Sequence, residues 1–155
     1  MDGKAALRSG ATGDAEEFVV RRARLRLTWA RASRSDVPIV ALGGDYDFET
    51  VPEVDRFLRR ELGPLYHQRD LLFDLEDTTF VDSSFIGFLV RVVGDQRAKR
   101  KELVLARPRG QVRRTLALVG LPNLVPVFET LDEAVVALVQ GKTPLIPPAF
   151  SAIPA

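Results

Sequence analysis

An α/β sandwich built on a mostly parallel mixed sheet of about five strands, with an antiparallel edge strand and four helices, is the fold this sequence predicts. The first observation is that hydrophobic periodicity changes type repeatedly along the chain, from the two-residue period of strands to the 3.6-residue period of helices. The second is that the links between these segments are short, which suits strand–helix units laid side by side. The third is the run Leu71-Leu72-Phe73-Asp74-Leu75, apolar at nearly every position, as a central strand covered on both faces requires.

Leu25, Leu27 and Trp29 alternate with Arg24, Arg26, Thr28 and Ala30, the pattern of a half-buried strand. A turn around residues 33–36 leads to a second strand, Pro38-Ile39-Val40-Ala41-Leu42, closed by Gly43-Gly44. A turn this tight joins antiparallel neighbours, so the first strand is expected at the sheet edge. Thr50 is placed to cap a helix that starts at Val51 and carries Val54, Phe57, Leu58 and Leu62 on one face; Gly63-Pro64 ends it. After the run at 71–75, a helix is expected over about 84–100, then a strand over 102–106. A third helix over about 110–119 has Val112, Leu116 and Val119 in phase, and Gly120, Pro122 and Asn123 stop it. A strand over 125–128 and a helix over 131–139, with Asp132 and Glu133 in its first turn, complete the fold.

The flanks read differently. Residues 1–17 are rich in Gly, Ala and charge and are expected to form a flexible arm; residues 141–155 hold Pro144, Pro147, Pro148 and Pro154 and are expected to form an extended tail. Residues 18–140 are then the single folded domain. Composition narrows the function classes. A formal net charge of +1 is too small to drive nucleic-acid or membrane binding by charge alone. With no cysteine and one histidine, His67, thiolate chemistry is excluded and a zinc site lacks its usual ligands. No apolar run reaches the roughly 18–20 residues of a membrane span, and the N-terminus lacks the apolar core of a secretory signal. A soluble, cytoplasmic protein with no metal or cofactor is the expectation.

In parallel sheets, function gathers in loops that leave the C-terminal ends of strands. Two such loops stand out, Gly44-Asp45-Tyr46-Asp47 and Thr79-Phe80-Val81-Asp82-Ser83-Ser84. Ser83 or Ser84 at the start of the second long helix suits an N-cap, worth roughly 1 kcal/mol. The same position also suits an exposed hydroxyl that accepts a phosphoryl group, facing helix N–H groups and the positive dipole end. On that helix, Ile86, Leu89, Val90 and Val93 form the natural core face. Phe85, Phe88 and Val92 widen the apolar arc well beyond the ~100° a surface helix needs. They are expected either to pack beneath a neighbouring segment or to form a docking strip beside Ser83.

The stretch Asp74-Leu75-Glu76-Asp77-Thr78-Thr79-Phe80-Val81-Asp82-Ser83-Ser84-Phe85-Ile86-Gly87-Phe88-Leu89 resembles the signature of STAS domains, and of anti-sigma factor antagonists in particular. In that family a strand leads into Asp-Ser-Ser or Asp-Ser-Thr and a glycine-containing helix start, and the serine after the aspartate is phosphorylated by the anti-sigma kinase. The resemblance therefore implies that Ser83 is the phosphoacceptor, with Ser84 as a possible secondary one. Leu42-Gly43-Gly44-Asp45-Tyr46-Asp47 is similar to the family's Gly-Glu-Leu-Asp loop, which implies that Asp45 and Asp47, with Asp82, shape the site. Gly87 matches the family's helix glycine, while Phe85 stands where the family usually has glycine. The likeness covers about 25–139. It implies a non-enzymatic partner-switching module of stress-responsive transcription regulation. Its partners would be an anti-sigma factor with serine kinase activity and a serine phosphatase, and Phe85, Gly87 and Phe88 would lie on the binding surface. A non-phosphorylated STAS scaffold or interaction module is the alternative.

Other function classes fit less well. Asp45-x-Asp47 is similar to the aspartate pair of haloacid dehalogenase-like phosphatases, but the basic residue that chemistry needs has only Arg107 as a candidate and no acidic pair follows the last strand. A receiver domain would use Asp74 as its acceptor and needs a lysine after a late strand, which is missing. The run Arg97-Ala98-Lys99-Arg100-Lys101 reads as solvated charge at a helix C-terminus, Arg107, Arg109, Arg113 and Arg114 as an exposed face open to an acidic partner, and His67 as an exposed loop residue.

Overall fold

The computed structural model describes residues 17–20, 23–31 and 36–140. The tail expected at 141–155 and all but the last residue of the arm expected at 1–17 lie outside them. Among the described residues seven strands and four α-helices follow in the order β1 (Glu17–Val20), β2 (Ala23–Ala30), β3 (Val37–Tyr46), α1 (Val51–Leu62), β4 (Leu71–Asp74), β5 (Thr78–Val81), α2 (Ser83–Arg97), β6 (Leu103–Ala106), α3 (Gly110–Leu118), β7 (Val127–Phe128) and α4 (Leu131–Gln140). Single 3-10 turns at Tyr66–Gln68 and Leu121–Asn123 precede β4 and β7.

The sheet runs β1-β2-β3-β4-β6-β7. The β1–β2 and β2–β3 pairings are antiparallel and all the others parallel. This is the expected fold class, with two short strands added. The strand expected at the edge, β2, has β1 outside it, paired Glu17 to Arg26 through Val20 to Ala23. The second addition, β5, explains why β3 does not stop at the glycine pair. Ile39–Ala41 pair with β4, whereas Gly44, Asp45 and Tyr46 pair with Thr78, Phe80 and Val81 of β5, across a register shift between Gly44 and Asp45. Gly44 takes φ 96°, a conformation that costs glycine nothing, so the bulge sits where the chain permits it. One strand thereby serves two partners in succession.

Strand alternation divides the apolar residues between two faces. Leu25, Leu27, Val40, Leu42, Leu71, Phe73, Leu103 and Leu105 face α1, α2 and α3 in the larger core. Val37, Leu72, Val104, Ala106 and Phe128 face α4 in the smaller one. Successive residues Leu71, Leu72 and Phe73 thus serve alternate faces, all fully buried. On β2 the apolar residues Ala23, Leu25 and Leu27 are buried and Arg24 and Arg26 are exposed, because α4 packs on β3, β4, β6 and β7 and leaves this end of the second face open. Trp29 closes the large core from the rim, with the Arg69 guanidinium 5.3 Å from its ring centre.

Candidate functional site

The β3–β5 pairing brings both expected loops to one end of the sheet. The Asp82 amide donates to the Tyr46 carbonyl at 3.3 Å, the last rung before the two chains part. Asp47 therefore begins its turn beside the corner that holds Asp82 and Ser83. Its carboxylate Oδ1 accepts from the amides of Glu49 (2.9 Å) and Thr50 (3.1 Å), the self-bonded turn that aspartate forms readily. Thr50, expected to cap α1 with its hydroxyl, instead turns back. Fully buried, its Oγ1 donates to the Asp45 carbonyl at 2.8 Å and accepts from the Asp47 amide at 2.9 Å. Asp45 reaches across the bulge, its Oδ1 accepting from the Thr79 hydroxyl at 2.5 Å.

At the start of α2, the N-cap is Asp82 and neither serine. Asp82 is extended, at φ −128° and ψ −169°, and its Oδ1 accepts from the Ser84 amide at 2.8 Å, while its carbonyl takes the amides of Phe85 and Ile86. The first-turn amides after Ser83 are thus already engaged. Ser83 follows as the first helical residue, exposed to solvent, and Ser84 is half-buried.

Phe85 and Phe88 lie in the core, so the expected exposed strip is not theirs. Phe85 is fully buried with its ring centre 5.8 Å from that of Tyr46, and Phe88, 3% exposed, stacks on Phe73 at 6.4 Å and 6°. The reason is the surroundings of α2, which packs on β5 and β6 and is flanked by α1 and the Tyr66–Gln68 turn. Its buried arc is correspondingly wide. Val90, expected inside, is 45% exposed instead. With its ring turned inward, Phe85 does not stand over the Ser83 hydroxyl. Gly87 is half-exposed, and a Cβ there would meet only the Arg91 side chain at an ordinary 3.6 Å. Beneath the site, the buried Tyr46 hydroxyl donates to the Gly43 carbonyl at 2.8 Å, and burial pushes its pKa far above the ordinary tyrosine value.

The residues weighed for phosphatase or receiver chemistry are committed elsewhere. Asp74, 5% exposed, is clasped by Arg107 through Nε to Oδ1 at 3.1 Å and Nη2 to Oδ2 at 2.7 Å. These bonds raise the Arg107 pKa further, and its remaining nitrogen reaches Glu76 at 3.0 Å. Arg107 holds φ 59° to make this fork. Arg109 pairs with Glu76 and Arg113 with Glu129, so three of the four arginines expected on an open face have carboxylate partners within the chain. His67 is not an exposed loop residue: it sits half-buried in the Tyr66–Gln68 turn, 3.5 Å from Asp95. Among the described residues no group of three or more His, Asp or Glu is placed to hold a metal ion, and no helix is long and apolar enough to cross a membrane.

Sequence reasoning missed Gln111. Its side-chain amide accepts from the Val81 N–H and donates to the Val81 carbonyl, both at 3.3 Å, and donates to Thr115 Oγ1 at 2.8 Å. It completes the outer edge of β5 two residues before Ser83. A glutamine in the first turn of a helix has no local pattern that foretells a partner 30 residues away.

The family model described as STAS domain matches residues 29–134, which takes in both loops and all of α2. The chain belongs to the STAS domain family. A curated relative, the anti-sigma-B factor antagonist of Staphylococcus aureus (strain NCTC 8325 / PS 47), is 30% identical over 92 residues, 58% of this chain and 82% of the relative. Among solved structures, an anti-sigma factor antagonist from Mycobacterium paratuberculosis superposes with a TM-score of 0.58 at 22% identity, covering 74% of this chain and 93% of that one. The anti-sigma factor antagonist SpoIIAA in its unphosphorylated form gives 0.56 at 19% identity, covering 74% and 96%. At these identities the structural likeness establishes the STAS fold.

Proposed function

We propose that this STAS domain is an anti-sigma factor antagonist, acting in the cytoplasm and without catalytic activity of its own. In its unmodified form it binds an anti-sigma factor that has serine kinase activity and so frees a sigma factor. Phosphorylation of Ser83 dissolves the complex and a serine phosphatase restores it. The observation that carries the reading is the position of Ser83: exposed, at the first residue of α2, beside a cap that Asp82 makes alone. The anti-sigma-B factor antagonist among its relatives supports the partner class.

The physical consequence of modification follows from the neighbours. A phosphoseryl group brings roughly −1.5 to −2 charge at neutral pH. Asp82 already occupies the Ser84 amide, and Asp47 stands at the same corner, so the phosphate gains the helix dipole but meets like charge. Its oxygens are therefore directed outward, at a surface that had fitted a neutral hydroxyl, and repulsion and desolvation fall on the partner. Asp45, Asp47 and Asp82 set a negative field at this end of the sheet, to which a basic partner surface is complementary. Ser84, half-buried and one residue further on, is a secondary acceptor.

The test is affinity capture from the native cell extract, with wild type, Ser83→Ala and Ser83→Asp as baits and bound proteins identified by mass spectrometry. The expected outcome is an anti-sigma kinase retained by the first two and lost with Ser83→Asp. Equal retention by all three baits would make Ser83 a bystander and the domain a constitutive STAS scaffold.

A further inference from the structure

Two aromatic side chains stand exposed among the described residues, Phe48 at 70% and Phe80 at 40%, and both lie in the segments that frame Ser83. The other phenylalanines with described side chains, Phe57, Phe73, Phe85, Phe88 and Phe128, are buried. We propose that Phe48 is the anchor by which the domain holds its protein partner. Its ring enters an apolar pocket set in a basic surface of the anti-sigma factor, and Phe80 packs on the rim of that pocket. The inference rests on the function proposed above and deepens it by naming the contact outside Ser83.

The backbone brings both residues to the serine. The Tyr46 carbonyl receives the Asp82 amide, and Phe48 lies two residues beyond Tyr46 while Ser83 directly follows Asp82. Phe80, three residues before Ser83, pairs with Asp45. The turn that carries Phe48 is pinned on both sides. Asp47 Oδ1 holds the amides of Glu49 and Thr50, the Asp47 carbonyl takes those of Thr50 and Val51, and the Asp47 amide donates to the Thr50 hydroxyl. Thr50 and Val51 are buried, so the turn is seated on the core while Phe48 is held out from it. A ring presented by an already ordered turn costs little further entropy on binding, which is what an interface anchor requires.

Single exposed hydrophobes are ordinary, and Leu65, Leu118 and Val136 are scattered over other parts of the chain. Two aromatic rings gathered at one corner are the composition of an interface core. Charge selects the occupant. Residues 44–50 and 77–84 hold five carboxylates, Asp45, Asp47, Glu49, Asp77 and Asp82, and no lysine or arginine. A pocket ringed by basic residues is complementary to a phenylalanine set among these carboxylates, whereas a second copy of this corner would bring like charge against like.

Calorimetric titration of the purified protein that the wild-type bait retains tests the anchor, with the full chain as wild type, Phe48→Ala, Phe80→Ala, Leu118→Ala and Ser83→Asp. Phe48→Ala is expected to weaken binding about tenfold or more and Phe80→Ala about threefold, with Leu118→Ala indistinguishable from wild type. The Tm of Phe48→Ala should stay within about 2 °C of wild type, since an exposed ring is lost. Raising salt from about 50 to about 300 mM should weaken the wild-type complex. The two readings fail separately. Binding that survives Phe48→Ala undiminished but is lost with Ser83→Asp overturns the anchor and leaves the switch standing. Binding lost with Phe48→Ala yet indifferent to Ser83→Asp overturns the switch and leaves the anchor. A Tm lowered by many degrees in Phe48→Ala would make the ring structural, affinity that does not fall with salt would overturn the basic partner, and a wild-type bait that retains no protein would overturn both readings.

Discussion

Asp82 and Asp47 both give their carboxylates to backbone amides at the start of a helix, Asp82 to Ser84 and Asp47 to Glu49 and Thr50. The charge that frames Ser83 is therefore also structural. Asp82→Ala should lower stability by about 1 kcal/mol, with Asp82→Ser recovering most of it. Ser83→Ala, which removes only an exposed hydroxyl, should stay within about 0.5 kcal/mol of wild type. Urea midpoints at constant m-value measure all three. A larger loss for Ser83→Ala than for Asp82→Ala would assign the cap to the serine. The Asp82-Ser83-Ser84 cluster was visible in the sequence as a helix start, but which member caps was not. Aspartate and serine are equally good caps, and the choice is made by the direction in which the chain leaves β5. The Asp74–Arg107 clasp was still less legible, since it joins residues 33 positions apart and needs a left-handed backbone at an arginine.

The apolar arc of α2 is wide in the sequence, yet a single-face template puts Val90 inside and Phe85 and Phe88 at the margin, the reverse of their burial. The real arc is set by three neighbours, the sheet, α1 and the Tyr66–Gln68 turn, and periodicity knows nothing of the last two. Because Phe88 stacks on Phe73 in the core, Phe88→Ala should cost about 3–5 kcal/mol and lower Tm by many degrees. A Tm close to wild type would return Phe88 to the surface. Strand β5 lacks a periodic signature altogether. Its sequence Thr78-Thr79-Phe80-Val81 has strand-forming residues, but with Thr79 and Phe80 both exposed it breaks the alternation that marks a half-buried strand.

At the scale of the molecule, one sheet divides two unequal cores. The face under α1, α2 and α3 buries Phe57, Phe73, Phe85 and Phe88, whereas α4 brings to its face mainly Ala134, Ala137 and Leu138. Less apolar surface holds α4, so local opening should begin there. Native-state hydrogen exchange is expected to release α4 amides well before those of β4, and equal protection would mean that the two faces open as one unit. This plan, with helices on both faces of one sheet, was legible from the alternation of strand and helix, because burial on both faces of β4 leaves its mark in a continuous apolar run. The order of strands at the antiparallel edge was not, since β1 is four residues of unremarkable composition. The side chain of Gln111 acts as a stand-in strand against Val81, taking both of its backbone groups. A strand laid along this edge thus finds no free backbone group at that rung, and a protein approaching there meets side chains alone.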